Sequence, residues 1–170
     1  MNAMLERWNA RDRFTAETEI LPCCGSRAWA QELAQLRPFE SAEELLRTSD
    51  QVWTALDIAD WNEAFASHPR IGERKAPVSA TSQSAQWSIE EQSAAALTYT
   101  STQEELRLAN AAYEARFGRI YIVCATGKST EVMLAILNRR LENDDTTELR
   151  EAVEQQRQIT QLRLRKWLKL

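Results

Sequence analysis

Glycine and proline each occur only four times in 170 residues, histidine once and cysteine three times. So little turn chemistry, beside abundant Ala, Leu, Glu, Gln and Arg, argues against a many-stranded sheet and for helices. The expected fold is all-α: a single domain over 1–170, folded as a compact helical bundle. Cys23, Cys24 and Cys124 are odd in number and two are adjacent, a poor basis for a disulfide framework. With one histidine available, a zinc site would have to lean on carboxylates, so no metal is expected. The cysteines read instead as small buried residues in a reducing compartment. No apolar run reaches the roughly 18 residues of a membrane span. The start, MNAMLERWNARDRF, lacks the apolar core of a secretory signal. A cytoplasmic protein without membrane contact is expected. Twenty-one basic residues against 25 acidic give a net charge of −4, which supplies no general attraction for nucleic acid.

Caps and apolar spacing predict the elements. One helix runs from Arg27 to Leu36, ahead of Pro38, and Ser41 opens the next, with Leu45, Leu46, Val52 and Trp53 as its stripe. A third, from Asp57 to about Ser67, carries Ile58, Trp61, Ala64 and Phe65 and ends at His68-Pro69, as helices do before proline. Glu73 to Trp87 reads as a loop, and Ser88 as the start of a helix through Leu97. Ser101 begins another helix, past Leu106, Ala109 and Tyr113 to Phe117, with Gly118 as its stop. RIYIVCA, residues 119–125, is β-rich but has no partner strand, so it reads as one extended connector in the core. Helical pattern resumes from Lys128 with Val132, Met133, Ile136 and Leu137. A last helix carries Leu149, Val153, Ile159 and Leu162. Its acidic start (Asp144, Asp145, Glu148, Glu151) and basic end (Arg163, Arg165, Lys166, Lys169) suit the helix dipole without any nucleic acid.

His68, in the string HPRIGERK, is the first candidate for acid/base work, since unperturbed imidazole alone titrates near neutrality. The alternative is an ordinary residue at a helix exit. TGKST, residues 126–130, resembles a phosphate loop, but the glycine required five residues before Gly127 is Ile122. Ser88-Ile89-Glu90-Glu91 fits a capping box, as do the segments opening at Ser41 and Ser101, so that spacing is weak by itself. Arg163 follows Ile159 by four residues and shares its helix face, where an inward arginine calls for an anion, an acidic side chain or a snorkelling path.

Taken in order, CGSRAW (24–29), HPRIG (68–72), SIEEQ (88–92), FGRIYIVCATGKS (117–129) and ITQLRL (159–164) resemble the 2-oxo-4-hydroxy-4-carboxy-5-ureidoimidazoline (OHCU) decarboxylase family of urate breakdown, whose product is (S)-allantoin. The resemblance covers most of the chain. It implies a decarboxylase without cofactor, because the carboxylate to be lost sits beside a C=N bond that accepts the electron pair. It assigns His68 as the acid/base group and places Glu91 against it or against the ureido N–H groups; a carboxylate beside an imidazole favours the protonated ring. Ser88 and Gln92 would hydrogen-bond the ring and ureide, and Pro69 would hold the pose of His68. Ile122, within 120–125, would line the pocket with backbone groups, and Arg163 would bind the substrate. The family also implies a homodimer. Two features depart from it: Gly118-Arg119 stands where some relatives have a proline, and Glu73-Arg74 follows the motif glycine. Two competing readings remain. A helical interaction module would expose its six tryptophans, and a nucleic-acid binder using the late basic helix conflicts with the net charge.

Overall fold

The computed structural model describes residues 2–72, 77–93 and 101–170. Among them are nine α-helices, one 3-10 turn and no strand, as the composition implies. The helices are α1 Ala3–Asn9, α2 Arg13–Ile20, α3 Arg27–Gln35, α4 Ala42–Ala55, α5 Ile58–Ala66, α6 Ser82–Glu91, α7 Ser101–Phe117, α8 Thr130–Arg140 and α9 Asp145–Leu168. Short polar side chains start them by accepting from otherwise orphaned backbone N–H groups. Asn2, Asp12, Ser26, Ser41, Thr81 and Ser129 do this for α1, α2, α3, α4, α6 and α8. At α4 the capping box is closed one residue early: Ser41 Oγ accepts from Glu44 N–H at 3.1 Å, while Glu44 Oε2 accepts from Glu40 N–H at 2.7 Å.

The chain divides into two compact units, residues 1–64 with 157–170 and residues 65–156. The first is built on tryptophans. Trp8, Trp29 and Trp53 are at most 1% exposed, each contributing about 4–6 kcal/mol of gross hydrophobic stabilisation before entropy. The Trp8 indole N–H donates to Ala16 O at 2.9 Å, and that of Trp61 donates to Trp53 O at 2.9 Å. Trp87 is also buried and Trp61 and Trp167 are half-buried, so none of the six is the exposed aromatic an interaction module would present.

In this unit Cys23 and Cys24 are fully buried thiols outside any disulfide. Burial raises both thiols, Cys24 to about 12, although the Arg163 guanidinium pulls the other way. At Cys23 and Cys24 the native protein should therefore resist a thiol reagent at pH 8 and react only on unfolding; mass spectrometry after alkylation reads this directly. The sign for stability follows. Thiols of the unfolded chain ionise from about pH 8.5 while the buried ones stay protonated. Their contribution is therefore complete below that pH and is lost as pH rises toward 12.

The second unit holds a core of Ile71, Leu106, Tyr113, Phe117, Tyr121, Val123, Ala125, Met133, Leu134 and Leu137. It joins the HPRIG segment, α7, the 119–125 connector and α8. Gly118 ends α7 at φ +66°, as its position predicts.

Several sequence expectations are corrected. Ile58, Val132 and Leu162, placed on inward stripes, are 56%, 47% and 42% exposed. Leu149 and Val153 are only half-buried. The buried face of α9 mixes polar and apolar groups instead, with Glu148, Gln156, Thr160 and Arg163 at 0–2% exposure beside Ala152, Leu164 and Leu168. Glu148 is thus no solvated dipole partner. The loop expected over 73–87 is shorter, because α6 already starts at Ser82 and carries Ser88 in its interior rather than at its start. The expected continuation to Leu97, and Glu73 and Arg74 in the loop, lie outside the described residues.

Candidate active site

Behind α5 the chain turns at once: His68 N–H donates to Phe65 O at 3.1 Å, and Ser79 Oγ donates to the exposed end carbonyl of Ala66 at 2.8 Å. His68 and Pro69 are buried, His68 at 9% exposure. The residues that follow are registered on α7. Arg70 grips Glu114 with two hydrogen bonds, 2.5 and 2.9 Å. Ile71 enters the core, and its carbonyl accepts from Asn110 Nδ2 at 3.0 Å. Gly72, at φ +87°, adopts a conformation that strains any side chain, and its N–H donates to Gln92 Oε1 at 2.9 Å. That last bond joins the two motif segments, HPRIG and SIEEQ, across twenty residues.

On α6, Ser88 Oγ donates to Ser84 O one turn back at 3.0 Å, so the Ser88–Glu91 spacing is not a capping box. Ser88 and Glu91 stand three apart within one helix and therefore share a face. Ser88 is 3% exposed, whereas Glu91 and Gln92 are half-buried at the C-terminal end. A carboxylate there opposes the helix dipole. Its placement is unfavourable for α6 itself and is consistent with a role toward another group.

Residues 120–125 form neither helix nor strand, and Tyr121 to Ala125 are buried. Side chains alternate with a two-residue period: Tyr121, Val123 and Ala125 turn into the core. The backbone groups of the residues between them meet side chains of the following turn and helices. Ile122 O accepts from Arg140 Nη1 at 2.6 Å, Cys124 N–H donates to Gln155 Oε1 at 2.9 Å, and Cys124 O accepts from Lys128 Nζ at 2.7 Å. Arg140 is itself fully buried against Glu148, whose Oε1 accepts from Arg140 Nη2 at 2.5 Å, Arg140 Nε at 2.9 Å and the Tyr113 hydroxyl at 2.5 Å. Asn143 Nδ2 donates to the other carboxylate oxygen at 2.8 Å. Burial first, and then the bond to Glu148, raise the Tyr113 hydroxyl, so it remains a donor.

Of the residues singled out in the sequence, His68, Pro69, Ser88, Glu91, Gln92 and Ile122 belong to the unit of residues 65–156, and Arg163 to the other. In its own unit Arg163 is 1% exposed, on the face of Ile159 as its spacing predicts, and Nη1 donates to Pro22 O at 3.3 Å. The sequence reading missed Asn110, Glu114, Arg140, Glu148 and Gln155. A signal existed for two of them: Asn110 falls on the Leu106–Tyr113–Phe117 face, and Arg140 on the Met133–Leu137 face, where a polar residue must be satisfied internally. Among the described residues no group of three His, Cys, Asp or Glu could hold a metal ion, and no helix is long and apolar enough to cross a membrane.

Known proteins share this fold and much of this sequence. A crystal structure of OHCU decarboxylase in the presence of (S)-allantoin superposes with a TM-score of 0.77 at 34% identity, over 89% of this chain and 98% of that one. The uric acid degradation bifunctional protein TTL of Arabidopsis thaliana is 38% identical over 151 residues, 88% of this chain. The chain spans about half, 46%, of that protein's length. The 2-oxo-4-hydroxy-4-carboxy-5-ureidoimidazoline decarboxylase of Haloferax volcanii is 28% identical over 137 residues, covering 80% of this chain and 79% of that protein. Residues 9–165 match the OHCU decarboxylase family as a whole. With the motifs in order, the helical fold shared and nearly the whole chain matched, the protein belongs to the OHCU decarboxylase family.

Proposed function

We propose that the protein catalyses the cofactor-independent decarboxylation of OHCU to (S)-allantoin in urate catabolism. The observation that carries this reading is the Gly72–Gln92 hydrogen bond, which ties the His68 segment to the helix bearing Ser88 and Glu91. In such a reaction the bond from the ring carbon to its carboxylate breaks and CO2 leaves. The electron pair forms a C=C bond to the neighbouring ring carbon, and the former C=N pair takes a proton on nitrogen. The resulting enol becomes the ketone by gaining a proton on that neighbouring carbon and losing one from the hydroxyl. The product is a single enantiomer only if the carbon is protonated from one face. The protein's work is then orientation, charge stabilisation and one directed proton delivery.

His68 supplies the acid/base function, and its burial keeps the proton from exchanging with bulk water at random. Glu91 orients the imidazole or the ureido N–H groups. Ser88 gives its hydroxyl proton to Ser84 O and so meets the substrate as an acceptor. Gln92 accepts from Gly72 and meets it as a donor. Pro69 fixes the backbone beside the histidine, and Ile122, its carbonyl engaged by Arg140, contributes through its remaining backbone and side chain. Arg163 provides the cation for an anionic substrate. Its replacement by alanine should raise KM by about tenfold or more, the scale of a charged hydrogen bond; an unchanged KM in a folded variant removes it from the site. The reading includes a cytoplasmic homodimer, which sedimentation of the purified protein tests.

The test of the activity is stereochemical, because OHCU decays unaided to racemic allantoin. Circular dichroism of freshly generated OHCU should show rapid growth of (S)-allantoin with the wild-type protein. Racemic product at the uncatalysed rate would reject the reading.

A further inference from the structure

The geometry points to Asn110 as a positioning residue that sets the carboxamide of Gln92 through the peptide joining Ile71 and Gly72. This rests on the decarboxylase reading for its functional consequence, though not for its structural one. A single peptide unit is held on both edges by primary amides from different helices: its carbonyl accepts from Asn110 Nδ2 at 3.0 Å, and its N–H donates to Gln92 Oε1 at 2.9 Å. Rotating that peptide loses both bonds together, so each supports the other. Three successive turns of α7 register the segment: Glu114 holds Arg70, Asn110 holds the Ile71 carbonyl, and Leu106 lies where a Cβ on Gly72 would meet its Cδ2 at 3.5 Å. Asn110 is 5% exposed and spends its donor on this backbone carbonyl rather than on its own helix.

The consequence falls on Gln92. A carboxamide can present either its oxygen or its NH2 group in one direction, and shape alone barely distinguishes them. The Gly72 N–H decides the matter, because only the oxygen can face a donor. The NH2 group is thereby turned away from the loop, ready to donate to an oxygen of the substrate, such as its carboxylate or ring carbonyl. Without Asn110 the peptide is held on one edge only, and the amide of Gln92 loses the partner that fixes its direction.

The test combines a double-mutant cycle with hydrogen exchange at one amide. Gln92→Leu and Asn110→Leu should each lower kcat/KM by roughly tenfold or more, and the double variant should lose little beyond Gln92→Leu alone. Losses that multiply overturn the inference. The Gly72 amide proton, followed by NMR in protein without substrate, should exchange slowly in the wild type and several-fold faster in both single variants. Unchanged exchange in Gln92→Leu, whose half-buried side chain makes it a mild substitution, overturns it as well. Should Asn110→Leu fail to fold, Asn110→Ser, which shortens the donor, takes its place in both measurements. If the wild type fails to accelerate (S)-allantoin formation, the decarboxylase reading falls, and Gly72 exchange in the Asn110 variant still decides whether Asn110 sets the contact with Gln92.

Discussion

Replacing His68 with alanine should abolish stereoselective allantoin formation, with kcat falling by about 10²–10⁴, the range of a positioned general acid or base. No other imidazole exists in the chain to take over, and Glu91 stands at the last residue of α6 rather than beyond the exit of α5. The fold should survive, because the segment around residue 68 is held by neighbours rather than by the imidazole: Arg70 by Glu114, Ile71 by the core and Asn110, Gly72 by Gln92. The thermal midpoint of His68→Ala should accordingly stay within several degrees of the wild type. Circular dichroism reads both quantities, at the product band for activity and in the far ultraviolet for folding. A folded variant that still yields (S)-allantoin at the wild-type rate would remove His68 from the mechanism. His68→Gln offers a second check, since it keeps hydrogen bonding but cannot transfer a proton, and it should be as inactive as the alanine variant.

The largest effect on stability should come from Glu148→Ala. Arg140 and Glu148 are both wholly buried, and Glu148 gathers donors from Arg140, Tyr113 and Asn143. Removing the carboxylate strands a guanidinium in the interior, an effect of about 3–5 kcal/mol. In a domain of this size that corresponds to a fall of roughly 10 °C in Tm. The complementary variant, Arg140→Met with Glu148→Leu, should recover part of the loss, since a buried pair replaced by apolar groups of similar volume is often neutral. Recovery should be incomplete because Ile122 O and the Tyr113 hydroxyl lose partners. Denaturant unfolding of the three proteins measures this; a Glu148→Ala variant as stable as the wild type would show that the pair contributes nothing.

The all-α class, the starts of α3, α4 and α7, the end of α5 ahead of Pro69 and a connector that is neither helix nor paired strand could all be read along the chain. Each depends on local chemistry: a side-chain oxygen that reaches a nearby N–H, a proline that forbids the next helical residue, a glycine that accepts φ +66° at position 118. The roles proposed for His68, Pro69, Ser88, Glu91, Gln92, Ile122 and Arg163 rest on the resemblance; spacing adds to it only the placement of Arg163 on the face of Ile159, which is buried. The start of α6 could not be read along the chain. Ser88-Ile-Glu-Glu offers the same local cap as Ser41 and Ser101, and nothing near it shows that Thr81 has already nucleated the helix.

What sequence alone determined here is short-range: which segments are helical, which cannot be, and which residue types are fit for proton transfer. Tertiary structure decided which polar groups are buried and what satisfies them. Glu148 reads from sequence as a dipole-matched surface acid and is in fact the partner of Arg140. Asn110 falls on the Leu106–Tyr113–Phe117 face of α7, but only the fold shows that it holds the Ile71 carbonyl, thirty-nine positions away. The physical reason is that a buried donor or acceptor must be paired but can be paired by any group of the right sense. The partner is therefore chosen by proximity in the folded chain, which no local pattern encodes.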